Sequence, residues 1–326
     1  MKSLLVLLLH FHCLSLVLCS LQWATLRRWQ EWKQQFNQDF GPSADSRRRA
    51  IWTRNLQLIA DHNKNYLLGY NKFTMAINKF GATADYEYFG MLGARVSDSP
   101  MTSQEPVHFT PPSSLDYRTQ GFVTPVKDQG TCGSSWAFSV TGAIEAQVAK
   151  TTGVLVSLSE QDLLDCSKVN VTYGCDGAWM SNAYDYVQTH GLNGDANYPY
   201  EARDDQPCMH DPDKNVIMIR GHKTLPPGDE DMLKTSLAFF GPITVAVDAS
   251  NWSFMFYNMG IYDEPLCDAA QANHAVLLVG YGSENGVDYW IVKNSWGLGW
   301  GEEGYMRVLR GNNLCGIASY ALYPVM

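Results

Sequence analysis

The ten residues QGTCGSSWAF, numbered 129–138, decide how the rest of this 326-residue chain is interpreted. Ser135 stands two residues after Gly133 and directly before Trp136. From there an apolar pattern at helical spacing continues to Gly153, where a glycine stops it. The stretch therefore predicts a long helix that begins near Ser135.

Two later stretches hold polar side chains beside strand-like runs. His274 lies in NHAVLLVGYG (273–282), 139 residues after Ser135, and Asn294 lies in YWIVKNSWG (289–297), 159 residues after it. Their β-branched and aromatic residues predict strands. A single histidine beside an apolar run is usually structural, so the interpretation depends on all three stretches together.

Together they resemble the papain family of cysteine proteases. That family's signature is Cys-Gly-[Ser/Ala]-Cys-[Trp/Tyr], with a histidine and an asparagine far downstream. In this chain the second cysteine of the signature, the family's nucleophile, is Ser135. The resemblance implies a papain-like two-lobed fold with a helical lobe and an antiparallel β-barrel-like lobe.

The order of elements points to an α+β class independently. Residues 115–220 read as mainly helical, and strand-like runs separated by glycine turns dominate from 221 onward. A helical half followed by an antiparallel half is typical of α+β proteins. The predicted strands are Ile243–Val247, Ala275–Tyr281, Tyr289–Lys293 and Tyr305–Leu309.

The front of the chain predicts two helices. Gly41-Pro42 separates an aromatic stripe at helical spacing from a second periodic segment. The first stripe comprises Trp29, Trp32, Phe36 and Phe40, and the second face comprises Arg48, Trp52, Asn55, Ile59 and Asn63. Such stripes usually mean a buried helix face.

The second face also resembles the helical signature of cathepsin L-type inhibitory propeptides, although its usual leading Glu is Ala44. Asn78 and Phe80 fit that propeptide's second motif, but the motif's closing Asp is Ala82. The resemblance to a cathepsin L-like precursor therefore covers essentially the whole chain.

The chain divides into three predicted parts. A positive start and an apolar run over residues 4–18 predict a signal peptide, 1–19. The resemblance implies an inhibitory propeptide over 20–111 and a peptidase domain over 112–326, with lobes 112–220 and 221–326. Residues 96–114 are polar and proline-rich, which predicts a linker open to proteolysis. No later segment is long and apolar enough to span a membrane.

Charge and cysteine content narrow the class of protein. Residues 20–108 hold 11 basic and 8 acidic residues, whereas residues 109–326 hold 12 basic and 25 acidic ones. A basic front segment can dock on an acidic body, and nothing resembles a nucleic-acid footprint. Six cysteines follow the signal peptide, an even number that suggests three disulfides in a secretory, lysosomal or extracellular protein. Family resemblance implies the pairs Cys132–Cys175, Cys166–Cys208 and Cys267–Cys315, whereas spacing leaves 15 pairings open.

The resemblance assigns roles to the site residues. Position 135, His274 and Asn294 would be catalytic, with Asn294 orienting the imidazole and Trp296 shielding that hydrogen bond. Gln129 and the backbone N–H of residue 135 would hold the oxyanion. A serine hydroxyl is far less acidic than a thiol, so we expect no stable ion pair with His274 and little or no peptidase activity.

The resemblance also implies a peptide-binding groove. The family's Gly-Gly pair reads Gly177-Ala178 here, and the added methyl is expected to crowd the edge where substrate pairs. Tyr320 is expected to make the main specificity pocket shallow. The implied groove residues are Gly177, Ala178, Trp179, Met180, Ala249, Ala275 and Tyr320. Asn170 and Asn251 begin possible glycosylation triplets, of which Asn170 is the better candidate.

Three hypotheses remain open at this stage. The chain is a pseudoprotease that binds peptides, its own propeptide or cystatin-type inhibitors; or a hydrolase that uses Ser135, as in the silicateins; or a cathepsin L-like endopeptidase whose cysteine was changed. Under all three hypotheses we expect a monomer without a metal or other cofactor.

Overall fold

The computed structural model describes residues 23–95, 109–168 and 174–326. The predicted signal peptide, most of the predicted linker and Asn170 lie outside these residues. The helices are α1 (23–35), α2 (Gly41–Leu67), α3 (Asp85–Gly90), α4 (Ser135–Thr152), α5 (Glu160–Cys166), α6 (Met180–His190), α7 (Glu230–Phe240) and α8 (Trp252–Met255). No helix in the described residues is long and apolar enough to cross a bilayer.

The described residues contain thirteen strands, and those outside the main sheet have only two or three residues each. They are β1 (Phe73–Met75), β2 (Ala94–Arg95), β3 (Leu115–Asp116), β4 (Ala178–Trp179), β5 (Leu192–Asn193), β6 (Asn215–Ile217), β7 (Gly221–Thr224), β8 (Ile243–Val247), β9 (Tyr257–Tyr262), β10 (His274–Glu284), β11 (Val287–Lys293), β12 (Tyr305–Leu309) and β13 (Ala321–Val325).

The chain forms two compact units. The smaller comprises residues up to 58 together with 77–83. Its core is the predicted aromatic stripe: the rings of Trp29 and Trp32 stack at 5.2 Å between centroids, and Trp52 is buried against them. Asn55 Nδ2 donates to the carbonyl of Gly81 at 2.9 Å. The tryptophans therefore form buried helix faces, as predicted. Phe36 and Phe40 lie beyond the end of α1 and pack, partly buried, against this core.

The larger unit comprises residues 59–76 and 84–326. Its main sheet runs in the order β1-β9-β12-β11-β10-β8-β13-β7, with β3 also paired to β10. Its pairs are antiparallel except β9 with β12. Helix α4 packs against β10 and β8. The α+β prediction is confirmed, and the predicted strands β8 and β12 have the predicted bounds.

Local chemistry explains the bounds of α4. Its last residue is followed by Gly153 with φ +77°, a left-handed conformation in which glycine avoids the strain of a Cβ atom. The predicted start and stop of this helix are confirmed.

All three disulfides implied by the resemblance are present. They join Cys132 to Cys175, Cys166 to Cys208 and Cys267 to Cys315. The first fixes the loop before α4 to the loop before β4. Two segments distant in sequence are thereby held side by side at the site described next.

Candidate active site

Ser135 begins helix α4 and is fully buried. The helix end places partial positive charge beside the hydroxyl. The backbone N–H of Ala275 on β10 donates to Ser135 Oγ at 3.2 Å. The structure thus brings the helix of the helical half and a strand of the β half together at this oxygen.

His274 and Asn294 form a buried pair on neighbouring strands. His274 is the first residue of β10, and Asn294 directly follows β11, its antiparallel partner. The distance between His274 Nε2 and Asn294 Oδ1 is 2.8 Å. An amide oxygen only accepts, so Nε2 carries the proton and Nδ1 is the free basic nitrogen of a neutral ring. Nδ1 is buried and has no hydrogen-bond partner within the described parts of the chain.

Burial sets the protonation of this histidine. Trp296 is fully buried, and its ring lies 4.7 Å from the His274 ring between centroids. Loss of water lowers the pKa of His274 to about 4, although the bond to Asn294 partly opposes the shift. The imidazole is therefore neutral across the mildly acidic and neutral range, and a neutral ring can act as a general base.

Gln129 has the orientation expected of an oxyanion donor, but its amide is already engaged. Its Nε2 donates to the carbonyl of Met91 at 2.9 Å and to that of Cys132 at 2.7 Å. Its Oε1 accepts from Ser295 Oγ at 2.6 Å, which fixes which end of the amide faces the site. Ser295 was not among the sequence candidates, although it lies between Asn294 and Trp296.

The segment from 84 to 95 lies across this site. The hydroxyl of Tyr88 donates to the carbonyl of Ala249 at 2.6 Å, and its ring meets Trp296 edge-on at 5.9 Å. Further along, the backbone N–H of Ala94 donates to the carbonyl of Asn273 at 3.0 Å. Sequence reasoning missed these residues, because helix α3 has only 6 residues and the stretch that follows it has no periodicity to detect.

The expected groove residues occupy two neighbourhoods. Ala178, Met180, Ala275 and Tyr320 belong to one buried apolar cluster, which also contains Ala94. Trp179 is half-buried beside it on β4, and Gly177 precedes that strand. Ala249 is buried outside this cluster and accepts the Tyr88 bond.

The backbone edge at Ala178 is occupied by the chain's own segment in this structure. The N–H of Ala178 donates to the carbonyl of Gly93 at 2.9 Å, and β2 pairs with β4 in parallel. Ala178 is fully buried in the apolar cluster, and crowding of a bound substrate by its methyl group stays a prediction.

A buried charge network lies behind the catalytic strands. Lys127 Nζ donates to Glu145 Oε1 at 2.9 Å and to Glu160 Oε1 at 2.6 Å. Burial opposes the ammonium charge, but the two carboxylates raise the pKa of Lys127 overall. Burial and the neighbouring Glu145 raise the pKa of Glu160, despite the contact with Lys127. The fourth member, Lys293, directly precedes Asn294, and burial lowers its pKa to about 8.

A cavity of about 20 Å³ lies between this network and Asn294, enough for about one water molecule. Sequence reasoning missed the network, because charged residues spread over helices, loops and strands carry no common spacing. Across the described ranges, no group of three or more His, Cys, Asp and Glu side chains could hold a metal ion.

The remaining sequence candidate is Asn251. Its side-chain oxygen accepts from the backbone N–H of Ser253 at 3.0 Å and caps helix α8. Asn251 is half-buried, and Ser253 is fully buried. Glycosylation of Asn251 stays a prediction, and so does that of Asn170.

Comparisons with known proteins agree with this geometry. The family model described as papain family cysteine protease matches residues 111–325, and that described as cathepsin propeptide inhibitor domain (I29) matches residues 29–88. The chain is 43% identical to cathepsin L2 of Homo sapiens over 306 residues, which is 91% of each protein. It is 42% identical to digestive cysteine proteinase 2 of Homarus americanus over 305 residues, 91% of this chain and 94% of that protein.

Solved structures give the same result. A digestive procathepsin L 3 from the larval midgut of Tenebrio molitor has a TM-score of 0.88 and 39% identity, covering 93% of this chain and 99% of that one. A recombinant stem bromelain precursor has a TM-score of 0.85 and 35% identity, covering 93% and 99%. The chain therefore belongs to the papain family of cysteine proteases, as a cathepsin L-like zymogen with its own inhibitory propeptide.

Proposed function

We propose that this chain is a pseudoprotease of the cathepsin L-like group, which binds peptides in its groove without cleaving them efficiently. The observation that carries the proposal is the state of Ser135. Its Oγ accepts a hydrogen bond from the N–H of Ala275, and His274 Nδ1, the nitrogen that would take its proton, has no hydrogen-bond partner in the described parts of the chain.

The chemistry of the pair supports this proposal. A cysteine nucleophile works as a thiolate beside an imidazolium, and its thiol has an ordinary pKa near ~8.5. A serine hydroxyl cannot supply that anion. In the full-length chain, where residues 84–95 lie across the site, burial also keeps the His274 ring neutral. Attack would then require proton transfer from Ser135 to His274 during the reaction. Asn294 gives the resulting imidazolium weaker support than the buried aspartate of serine proteases.

The same neutral histidine favours one alternative, a weak hydrolase that uses Ser135 with His274 as general base. The two functions make opposite predictions for a single assay. The precursor is cleaved with an added protease between residues 100 and 112, and hydrolysis of a fluorogenic dipeptide is measured at pH 5. Wild type is compared with Ser135→Cys, and His274→Ala in each background is the matched control.

We expect the wild type to be at least ~1,000-fold slower than Ser135→Cys, because one member of the catalytic unit is missing. His274→Ala should abolish the activity of Ser135→Cys. Turnover by the wild type that is lost in His274→Ala would refute the pseudoprotease proposal and support the serine hydrolase. If both proteins are inactive, the groove itself has diverged from that of the active relatives.

We further propose how this chain is processed and where it is located. An inactive enzyme cannot cut its own linker, so maturation near residues 100–112 would require another protease. The predicted boundaries, with a signal peptide over 1–19 and a peptidase domain from 112, belong to this proposal. Three disulfides support passage through the secretory pathway to a lysosomal or extracellular location. Cystatin-type inhibitors are proposed as further partners of a monomer.

A further inference from the structure

Two buried polar atoms belong to the wall of one cavity behind the catalytic strands. Glu160 and Asn294 both line the cavity of about 20 Å³, and they are only 1% and 2% exposed. Glu160 Oε2 and Asn294 Nδ2 have no hydrogen-bond partner among the described residues, and no other buried side-chain N or O atom of the residues on this wall shares that state. An unpaired buried oxygen and an unpaired buried N–H are each costly, so a partner common to both is favoured.

The carboxylate of Glu160 is held firmly at its other oxygen. Lys127 Nζ and Thr141 Oγ1 both donate to Glu160 Oε1 at 2.6 Å. Thr141 belongs to helix α4, and Lys127 is also bonded to Glu145 at 2.9 Å. These contacts fix the carboxylate plane, so Oε2 is an acceptor at a defined position.

The amide of Asn294 supplies the complementary group. Its Oδ1 accepts from the backbone N–H of Ser295 at 2.8 Å, and it lies 2.8 Å from His274 Nε2. Those two bonds fix which end of the amide is the oxygen, so the end that is left is the donor Nδ2. A water molecule accepts and donates, and it can therefore join an N–H to a carboxylate oxygen across a cavity of this size.

We propose that one water molecule binds in this cavity and joins Asn294 Nδ2 to Glu160 Oε2, which makes Glu160 a positioning residue for the His274–Asn294 pair. The water accepts from the amide and donates to the carboxylate. The amide plane is then held at Nδ2 as well as at Oδ1, and Glu160 acts on the imidazole only through Asn294. This bridge is a property of the folded chain and does not depend on whether Ser135 cleaves a substrate.

Glu145 offers a matched control for Glu160. Both carboxylates contact Lys127, and both are almost fully buried. Glu145 Oε1, however, accepts from Lys127 Nζ and from the N–H of Leu158, both at 2.9 Å. Its Oε2 accepts from Thr124 Oγ1 at 2.6 Å. Glu145→Gln and Glu160→Gln therefore remove the same charge beside Lys127, but only Glu160→Gln changes an oxygen that the bridge uses.

Two variants should remove the water by different means. In Glu160→Gln the amide oxygen stays with its donors Lys127 and Thr141, so an NH₂ group replaces Oε2 and the water loses the acceptor for its proton. Val276 also lines the cavity and is 2% exposed. Val276→Ile adds a methyl group that takes the space of the water and leaves every charge in place.

High-resolution crystal structures of the full chain test the site itself. Density for one water within hydrogen-bond distance of Asn294 Nδ2 and Glu160 Oε2 is expected in the wild type and in Glu145→Gln. No such density is expected in Glu160→Gln or Val276→Ile. A wild-type cavity without this water would overturn the proposal.

NMR of the full chain with ¹⁵N-labelled histidine tests the positioning role. The measured quantity is the exchange of the His274 Nε2 proton with solvent, and the amides of β8 and β12 are the control for global stability. Exchange should be at least tenfold faster in Glu160→Gln and in Val276→Ile, because the amide that holds the proton is less well fixed. Glu145→Gln should stay within threefold of the wild type.

Equal exchange in Glu160→Gln and Glu145→Gln, with β8 and β12 protected in both, would overturn the positioning role. If Glu160→Gln loses protection in β8 and β12 as well, Val276→Ile decides the question, because no charge is altered there. Exchange at the wild-type rate in Val276→Ile would then refute the proposal. Neither measurement involves catalysis, so turnover by Ser135 would end the pseudoprotease proposal and leave the water bridge standing.

Discussion

Replacing Lys127 by methionine should destabilise the larger unit more than any surface change of the same kind. The ammonium group lies 2.9 Å from Glu145 Oε1 and 2.6 Å from Glu160 Oε1, and both carboxylates are almost fully buried. At an effective dielectric constant of ~20 each contact is worth ~6 kcal/mol of attraction before desolvation. Most of that attraction offsets the burial of charge. Removing one partner of such a group typically lowers stability by about 3–5 kcal/mol.

The loss should depend on pH. Without Lys127, burial and mutual repulsion raise the pKa of both Glu145 and Glu160 above their unfolded values. The folded variant then binds more protons than the unfolded chain above pH ~4.5, so its stability falls as pH rises. We expect a deficit of about 3–5 kcal/mol at pH 7 and a clearly smaller one at pH 4.5.

Urea unfolding with the disulfides intact, followed by circular dichroism at both pH values, measures this deficit. Lys223→Met, at an exposed position on β7, is the matched control and should change stability by less than ~0.5 kcal/mol. Adding Glu145→Gln and Glu160→Gln to Lys127→Met should recover much of the loss. A deficit below ~1 kcal/mol at pH 7, or one that is equal at both pH values, would refute the reasoning.

Three further outcomes are expected. Burial lowers the pKa of His274 from 6.5 to about 4, so the wild type should lose about 3 kcal/mol of stability from this residue as pH falls through that range. Urea unfolding midpoints measured over the same range should show that His274→Gln does not suffer this loss. The hydrogen bond from Lys33 holds the pKa of Asp45 below its usual value. Asp45→Asn should therefore destabilise the smaller unit by ~1 kcal/mol at pH 7 and by much less at pH 2, as measured by tryptophan fluorescence during urea unfolding. An equal loss at both pH values would contradict this. Replacing Cys267 and Cys315 together by serine opens a loop with a sequence separation of 48 and should lower the free energy of unfolding by ~4 kcal/mol, and an unchanged urea midpoint would rule that out.

Periodic and motif-bearing parts of the chain could be predicted. Helix α4 has an apolar face and the glycine stop at Gly153, and β8 and β12 are continuous strand-like runs, so local chemistry alone specifies them. The pair His274 and Asn294 followed from the family resemblance. The distance of 2.8 Å between His274 Nε2 and Asn294 Oδ1 also shows which ring nitrogen carries the proton, and no sequence pattern contains that information.

Other predictions were limited because a sequence contains no distances between atoms. Crowding of a substrate by the methyl of Ala178 stays a prediction, because the structure shows this residue paired with the chain's own Gly93 and packed in the apolar cluster. Gln129 was expected to hold the oxyanion, and in this structure its amide donates to the carbonyl of Met91. Both outcomes depend on a segment that is far away in sequence and has no regular pattern.

The sequence by itself determined the family and the class of fold, and it predicted Ser135 at the nucleophile position, because each depends on residue type and order. Tertiary structure decided the surroundings of that serine. It placed Oγ against the N–H of Ala275, buried the His274 ring until its pKa fell to about 4, and laid Gly93 on Gly133. Burial, desolvation and backbone contact are properties of packed neighbours, and packing between distant segments is visible only once the chain is folded.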